Sequence, residues 1–181
     1  WLDTLAVRQV PWFTARPGMR WSIDGVEFEV LHPPTEWTAR GLDLNEDSVV
    51  LLVRYGEFVA LFTGDAGLPA EALWQDSAGR GDLLKVGHHG SAGATGAALL
   101  DAVQPQVAVI SLGRNRYGHP APATLDRLAA AGVAVWRTDL AGTVSVETDG
   151  QWFHVRDGRS VATYDARDPI PETTPCCIPP R

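Results

Sequence analysis

Asp65 in LFTGD, His88 and His89 in LLKVGHHGS, and His119 in ISLGRNRYGHP each follow an apolar run by a few residues. A carboxylate delivered by a buried strand is costly unless it is paired or bound to a cation. Gly64 lets the backbone bend just ahead of Asp65. Imidazole and carboxylate together suit zinc or manganese. If the strand continues, alternation turns His88 and His89 to opposite sides. One is then a direct metal ligand and the other an outer-shell or proton-transfer group. Arg114, Asn115, Arg116, Tyr117 and His119 put two cations, an amide and an imidazole into one short loop. That set fits an anionic oxygen ligand such as phosphate. Ser91 adds a hydroxyl that can cap the next helix.

Each position also has a plain structural reading. Asp65 suits the N-cap of a helix beginning at Leu68. A His-His pair suits a partly exposed loop, and His119 suits a helix start. His32, ahead of Pro33, reads as structural, and His154 has no role in the reading. The functional reading gains from the grouping, because Asp65, His88/His89 and His119 fall at the ends of successive strands.

Those strands follow from the hydrophobic pattern. Residues 20–34 alternate around Asp24-Gly25, a type I′ hairpin signal. Residues 48–65 read as two continuous apolar strands turning near Gly56 and buried on both faces. Next come a helix at 68–78 with Pro69 in its first turn, a strand in DLLKVG, and a helix in GATGAALLDAV. PQVAVISLG reads as a strand, HPAPATLDRLAAAG as a helix stopped at Gly132, and VAVWRTD and AGTVSVETDGQWFHVRDG as closing strands. Hairpins followed by alternating strand and helix predict an α/β layered fold, with its site beyond the strand ends. The expected boundaries are a domain over 1–158 and an extended or disordered Pro-rich tail over 159–181.

Composition narrows the function classes. Hydrophobic residues make up 45% and charged residues 20% of the 181, a globular balance. No apolar run approaches the roughly 18 residues of a membrane span. The net charge of −7 argues against a broad basic surface for nucleic acid. It leaves room for a local phosphate site whose charge comes from metal ions. The adjacent Cys176 and Cys177 lack the spacing of a zinc site.

NEDSVVLLVRYGEFVALFTGD, DLLKVGHHGS, QPQVAVISLGRNRYGHPAPATLDRL and WRTDLAGTVSV, in that order between Val10 and Val146, resemble the metallo-β-lactamase-like domain at the C-terminus of ComEC/Rec2 competence proteins. The resemblance implies an αββα sandwich and a metal-dependent hydrolase, specifically a phosphodiesterase or nuclease acting on incoming DNA. It implies one or two Zn or Mn ions, with Asp65 as the bridging carboxylate and His89 and His88 as ligands. It makes His88 and His119 the catalytic imidazoles, with Ser91, Arg114, Asn115, Arg116 and Tyr117 on the substrate side. Asn45 and Ser48 match polar residues ahead of the TGD strand. The implied partners are nucleic acid and a membrane-spanning channel in the parent protein, at the extracytoplasmic face. The superfamily's first motif, HxHxDH or HxDxDH, is absent, since only His32 precedes Asp65. The chain therefore reads as the C-terminal half to two-thirds of such a domain, opening inside an amphipathic helix. On that reading the hairpin and the strands 48–64 lack cover, and the chain alone is marginal or associates through that edge. Two rival readings are a binding or regulatory domain on the same fold without catalysis, and a hydrolase of another ester.

Overall fold

A computed structural model describes residues 2–35 and 44–166. Within them a seven-stranded sheet is assembled in sequence order. Its strands are β1 (Arg20–Ile23), β2 (Val26–His32), β3 (Val50–Tyr55), β4 (Phe58–Phe62), β5 (Leu83–Lys85), β6 (Val107–Ile110) and β7 (Ala134–Arg137). The first four pair antiparallel and β4 to β7 pair parallel. The change of direction has a sequence cause. Asp24-Gly25 turns β1 into β2 with both residues at positive φ, 49° and 83°, as a type I′ turn requires. From β4 onward each connection carries a helix, and a helical crossover returns the chain parallel. The crossover helices are α2 (Leu68–Ala78), α3 (Ala97–Val103) and α4 (Pro122–Ala130), after a short α1 (Leu2–Val7).

The large sheet is covered on both faces. On one face Leu52, Leu61, Leu84 and Ile110 pack with Trp74 of α2, Leu99 and Leu100 of α3 and Leu128 of α4. On the other, Phe58, Ala60, Leu83 and Val107 meet Phe153 and Val155. Those two belong to an antiparallel sheet of β8 (Ser145–Thr148), β9 (Trp152–Arg156) and β10 (Val161–Asp165). Helices, large sheet and small sheet give the α/β/β layers of the expected sandwich.

Several expectations change. The helix expected through GATGAALLDAV starts only at Ala97, because Thr95 has left-handed backbone at φ of 57°, with the Thr95 and Gly96 N–H groups donating to the buried Glu71 carboxylate at 2.5 and 2.8 Å. A one-turn helix, α5 (Thr138–Ala141), follows β7 where a plain strand exit was expected. The folded part runs past the expected boundary at 158. β10 pairs with β9 along its length, and Ala166 is buried in the second core. The rest of the Pro-rich tail, with Cys176 and Cys177, lies outside the described residues. β3 and β4 are not the uncovered strands. Exposure concentrates on β1, where Trp21 and Ile23 stand in solvent.

Candidate functional site

Parallel strands deliver their C-terminal ends to one edge. β4, β5 and β6 are in register at Phe62, Lys85 and Val109. Asp65, the histidine pair and the loop after Ile110 therefore emerge side by side. The turn after β4 is tied down at once. Ser48 Oγ accepts the Asp65 N–H at 3.0 Å, and the Gly64 carbonyl accepts the His88 N–H at 3.1 Å.

His88 and His89 do not alternate, because β5 stops at Lys85. The pair lies in a 3-10 turn, Gly87–Gly90, with left-handed φ of 45° and 53°. Such backbone costs roughly 1–2 kcal/mol per non-glycine residue. Contacts on both sides hold it: Gly87 N–H donates to Thr95 Oγ1 at 3.0 Å and Ser91 N–H to the His88 carbonyl at 2.9 Å. The result keeps both imidazoles at the site. His89 Nε2 stands 3.6 Å from Asp65 Oδ1. The His88 ring meets the His119 ring edge-on at 5.8 Å.

Hydrogen bonding sets the proton on each ring. His89 Nδ1 faces the Ser111 carbonyl at 2.7 Å. A carbonyl only accepts, so Nδ1 carries a proton, and in the neutral ring Nε2 presents a lone pair toward Asp65. Asn45 Nδ2, a donor, faces His88 Nε2 at 3.4 Å. A lone pair and a carboxylate oxygen at 3.6 Å fit a shared divalent cation, since ligand bonds of about 2.0–2.2 Å leave that span between donors. Among the described residues no group of three or more His, Cys, Asp or Glu comes together as a metal site. The Asp65–His89 pair supplies two donors at that spacing.

The facing wall is the loop after β6. A cleft of about 360 Å³ is lined by His89, Ser111, Leu112, Gly113, Arg114, Asn115, Tyr117 and His119. Asn115 does not offer its amide to a ligand. Nδ2 donates to the Gly113 and His119 carbonyls at 3.1 and 2.8 Å, and Oδ1 accepts the Tyr117 and His119 N–H groups at 3.1 and 3.0 Å. It shapes the loop, while the Arg114 and Tyr117 side chains line the cleft. Arg116 lies over the Tyr117 ring at 5.8 Å and is not among the lining residues. Ser91 is also outside the lining. Its Oγ accepts the Gly93 N–H at 3.3 Å, inside the loop, and does not cap the next helix, whose N-cap is Gly96. His119 is half-buried, and desolvation, followed by the neighbouring His88 and His89, holds its pKa below the ordinary histidine value against the pull of Asp65. Its Nδ1 is buried and has no hydrogen-bond partner among the described residues.

Residues 11–114 match the Metallo-beta-lactamase superfamily. The chain belongs to that superfamily. Members typically bind divalent metals such as zinc, which agrees with the donor pair at Asp65 and His89. The chain is also 38% identical over 129 residues to "Competence protein ComA" of Neisseria gonorrhoeae, covering 69% of this chain and 18% of that protein. It is 38% identical over 144 residues to "Recombination protein 2" of Haemophilus influenzae, covering 79% and 18%. It is 37% identical over 125 residues to "ComE operon protein 3" of Bacillus subtilis, covering 67% and 16%. The chain spans less than a fifth of the length of these curated relatives. No helix among its described residues is long and apolar enough to cross a membrane.

The surroundings of Asp65 and the histidines include residues that the sequence pattern did not single out. Lys85 turns its ammonium inward beside the Asp65 turn. Glu46 Oε2 accepts the Ala70 N–H at 2.9 Å, fixing the start of α2 just after Asp65. Arg127 of α4 donates to the Ala92, Ala94 and Thr95 carbonyls and holds the loop beyond the histidines. Lys85 carried a signal, a charge inside the apolar run LLKV. Glu46 and Arg127 carried none, because surface helices and turns are rich in such residues.

Proposed function

We propose that this chain carries one flank of a metal-dependent phosphodiesterase site that cleaves DNA, as part of a longer protein of DNA uptake. The observation that carries the reading is the 3.6 Å approach of Asp65 to the bare Nε2 of His89, beside a cleft lined by Arg114 and His119. The names of the relatives, two competence or Com-operon proteins and a recombination protein, support a nucleic-acid substrate. A divalent ion held by Asp65 and His89 would supply Lewis acidity and a water of lowered pKa. The chain's own groups do the rest. Arg114 binds a non-bridging phosphate oxygen and orients the diester against the Asp65 edge. His119, its pKa lowered by burial and by its histidine neighbours, takes the proton of the attacking water. His88, whose ring meets that of His119, is the second imidazole and gives a proton to the leaving oxygen.

A second reading rests on the absence of a third donor among the described residues. On it the chain is a binding or regulatory domain that keeps the fold without turnover. Elemental analysis of the chain and a hydrolysis assay with single-stranded DNA and a simple phosphodiester decide between them. Bound metal with metal-dependent cleavage supports the first. Metal-free protein that still binds DNA supports the second, and cleavage of carboxylic esters alone removes both.

A further inference from the structure

β4 and β5 stay in register as far as Phe62 and Lys85, where the ladder ends. Beyond that pair the two strands carry Gly64 and Asp65 on one side and Gly87, His88 and His89 on the other. Gly64, His88 and His89 all have left-handed backbone, at φ of 58°, 45° and 53°. The histidines are strained there, so something outside the ladder must hold them. The Lys85 side chain spans the gap. Its Nζ donates to the Gly64 carbonyl at 3.3 Å and to the Val86 carbonyl at 3.0 Å. The Gly64 carbonyl also accepts the His88 N–H, and Thr63 Oγ1 donates back to the Lys85 carbonyl at 3.0 Å. One ammonium thus joins the residue before Asp65 to a residue leading into the histidine turn. Turning a lysine inward disfavours its charged form. Burial holds the Lys85 pKa below the ordinary lysine value against the pull of Asp65, and the two carbonyls accept its hydrogen bonds.

We propose that Lys85 is a positioning residue whose ammonium clamps the two strand ends and thereby sets the separation of Asp65 and His89. The clamp is a feature of the folded chain without metal. Its bearing on catalysis rests on the phosphodiesterase reading above. It explains why a lysine stands inside an otherwise apolar strand, and why the short β5 ends in a defined turn.

Amide hydrogen exchange on the full, metal-free chain tests the clamp directly. Lys85→Met keeps an unbranched apolar stem and loses the donors. Its His88 amide should exchange at least about tenfold faster, while the Leu52 and Ala108 amides inside the sheet keep their rates. Lys85→Arg retains a cation with several donors and should keep His88 slow. Cobalt(II) is then the spectroscopic probe. Lys85→Met should need at least about tenfold more cobalt for half-saturation and should show an altered visible spectrum, with Lys85→Arg close to wild type. A wild-type His88 exchange rate in folded Lys85→Met overturns the clamp. If Lys85→Met unfolds, with all control amides accelerating together, Lys85→Arg decides. A fast His88 amide in that folded variant overturns the clamp, and a slow one upholds it. A wild-type chain that takes up no cobalt, yet whose His88 amide responds to Lys85→Met, overturns the metal-site reading and leaves the clamp standing.

Discussion

The two walls of the cleft are held in different ways. The Asp65 and histidine turns are tied to distant parts of the chain: Ser48 on the Asp65 N–H, Asn45 on His88, Thr95 on Gly87 and Ser111 on His89. The Arg114–His119 loop is shaped from within, by the Asn115 amide. Tyr117 in that loop is 72% exposed, whereas Gly87 and Thr95 are buried. The difference matches the two tasks that the proposed function assigns. Donors to a cation must hold their separation to a fraction of an ångström, so their backbone is braced by the core. Groups that meet a long, variable substrate gain from a loop that is ordered but not welded to the core.

The contrast can be broken most sharply at Asp65. Asp65→Asn keeps the shape and removes the charge. Divalent-metal affinity and phosphodiester cleavage should fall by more than about 100-fold, beyond the range for outer-shell partners, with little change in melting temperature. A titration with zinc or manganese, run beside a melt, measures both.

On the braced wall, Glu71 is the next largest element. It is 1% exposed and accepts the Thr95 and Gly96 N–H groups. Glu71→Ala strands both donors and should cost about 2 kcal/mol or more in denaturant unfolding. The loss should be partly offset because burial already pushes the Glu71 carboxyl up from its ordinary value.

On the other wall, Asn115→Ala should leave stability within about 0.5 kcal/mol. It should raise KM for a DNA substrate up to about tenfold and lower kcat as well, because Asn115 holds the His119 backbone along with the disposition of Arg114 and Tyr117. A comparable loss of metal affinity would show that the two walls are not separable.

The smallest effect is a pH slope. His32 is fully buried, its Nε2 at 2.7 Å from the Glu46 carbonyl, and burial holds its pKa below 6.5. A histidine whose pKa is depressed by folding supports stability above its unfolded value. That support drains away as pH falls from about 6.5 toward the lower folded value, by at most about 1.4 kcal/mol per pH unit. Melting curves between pH 7.5 and 5 should decline, and His32→Gln should flatten the decline.

Much of this comparison was readable in the linear chain. The hairpin at Asp24-Gly25, helix α2 with its early proline and the parallel strands β5 to β7 follow from periodicity and turn chemistry. The positions of Asp65, His88, His89 and His119 behind apolar runs pointed to one sheet edge. The orientation of the histidine pair was not readable. Alternation applies only while a strand continues, and β5 ends two residues before Gly87. Asn115 looked like a ligand because an amide between two arginines has the right chemistry, and only the loop's closure shows that its hydrogen bonds are spent. The fold runs past 158 because polar, charged composition hid a short edge strand that pairs with β9 along its length.

What the sequence alone determined is the order of the elements and the chemical types at the strand ends, because both depend on local patterns over a few residues. Which nitrogen of His89 is bare, how far it stands from Asp65 and that Lys85 bridges two carbonyls were decided only by tertiary structure. Each depends on groups brought together across the sheet from residues about 20 or more apart in the chain. Local sequence carries no record of such pairings, since they exist only once the parallel register of β4, β5 and β6 is set.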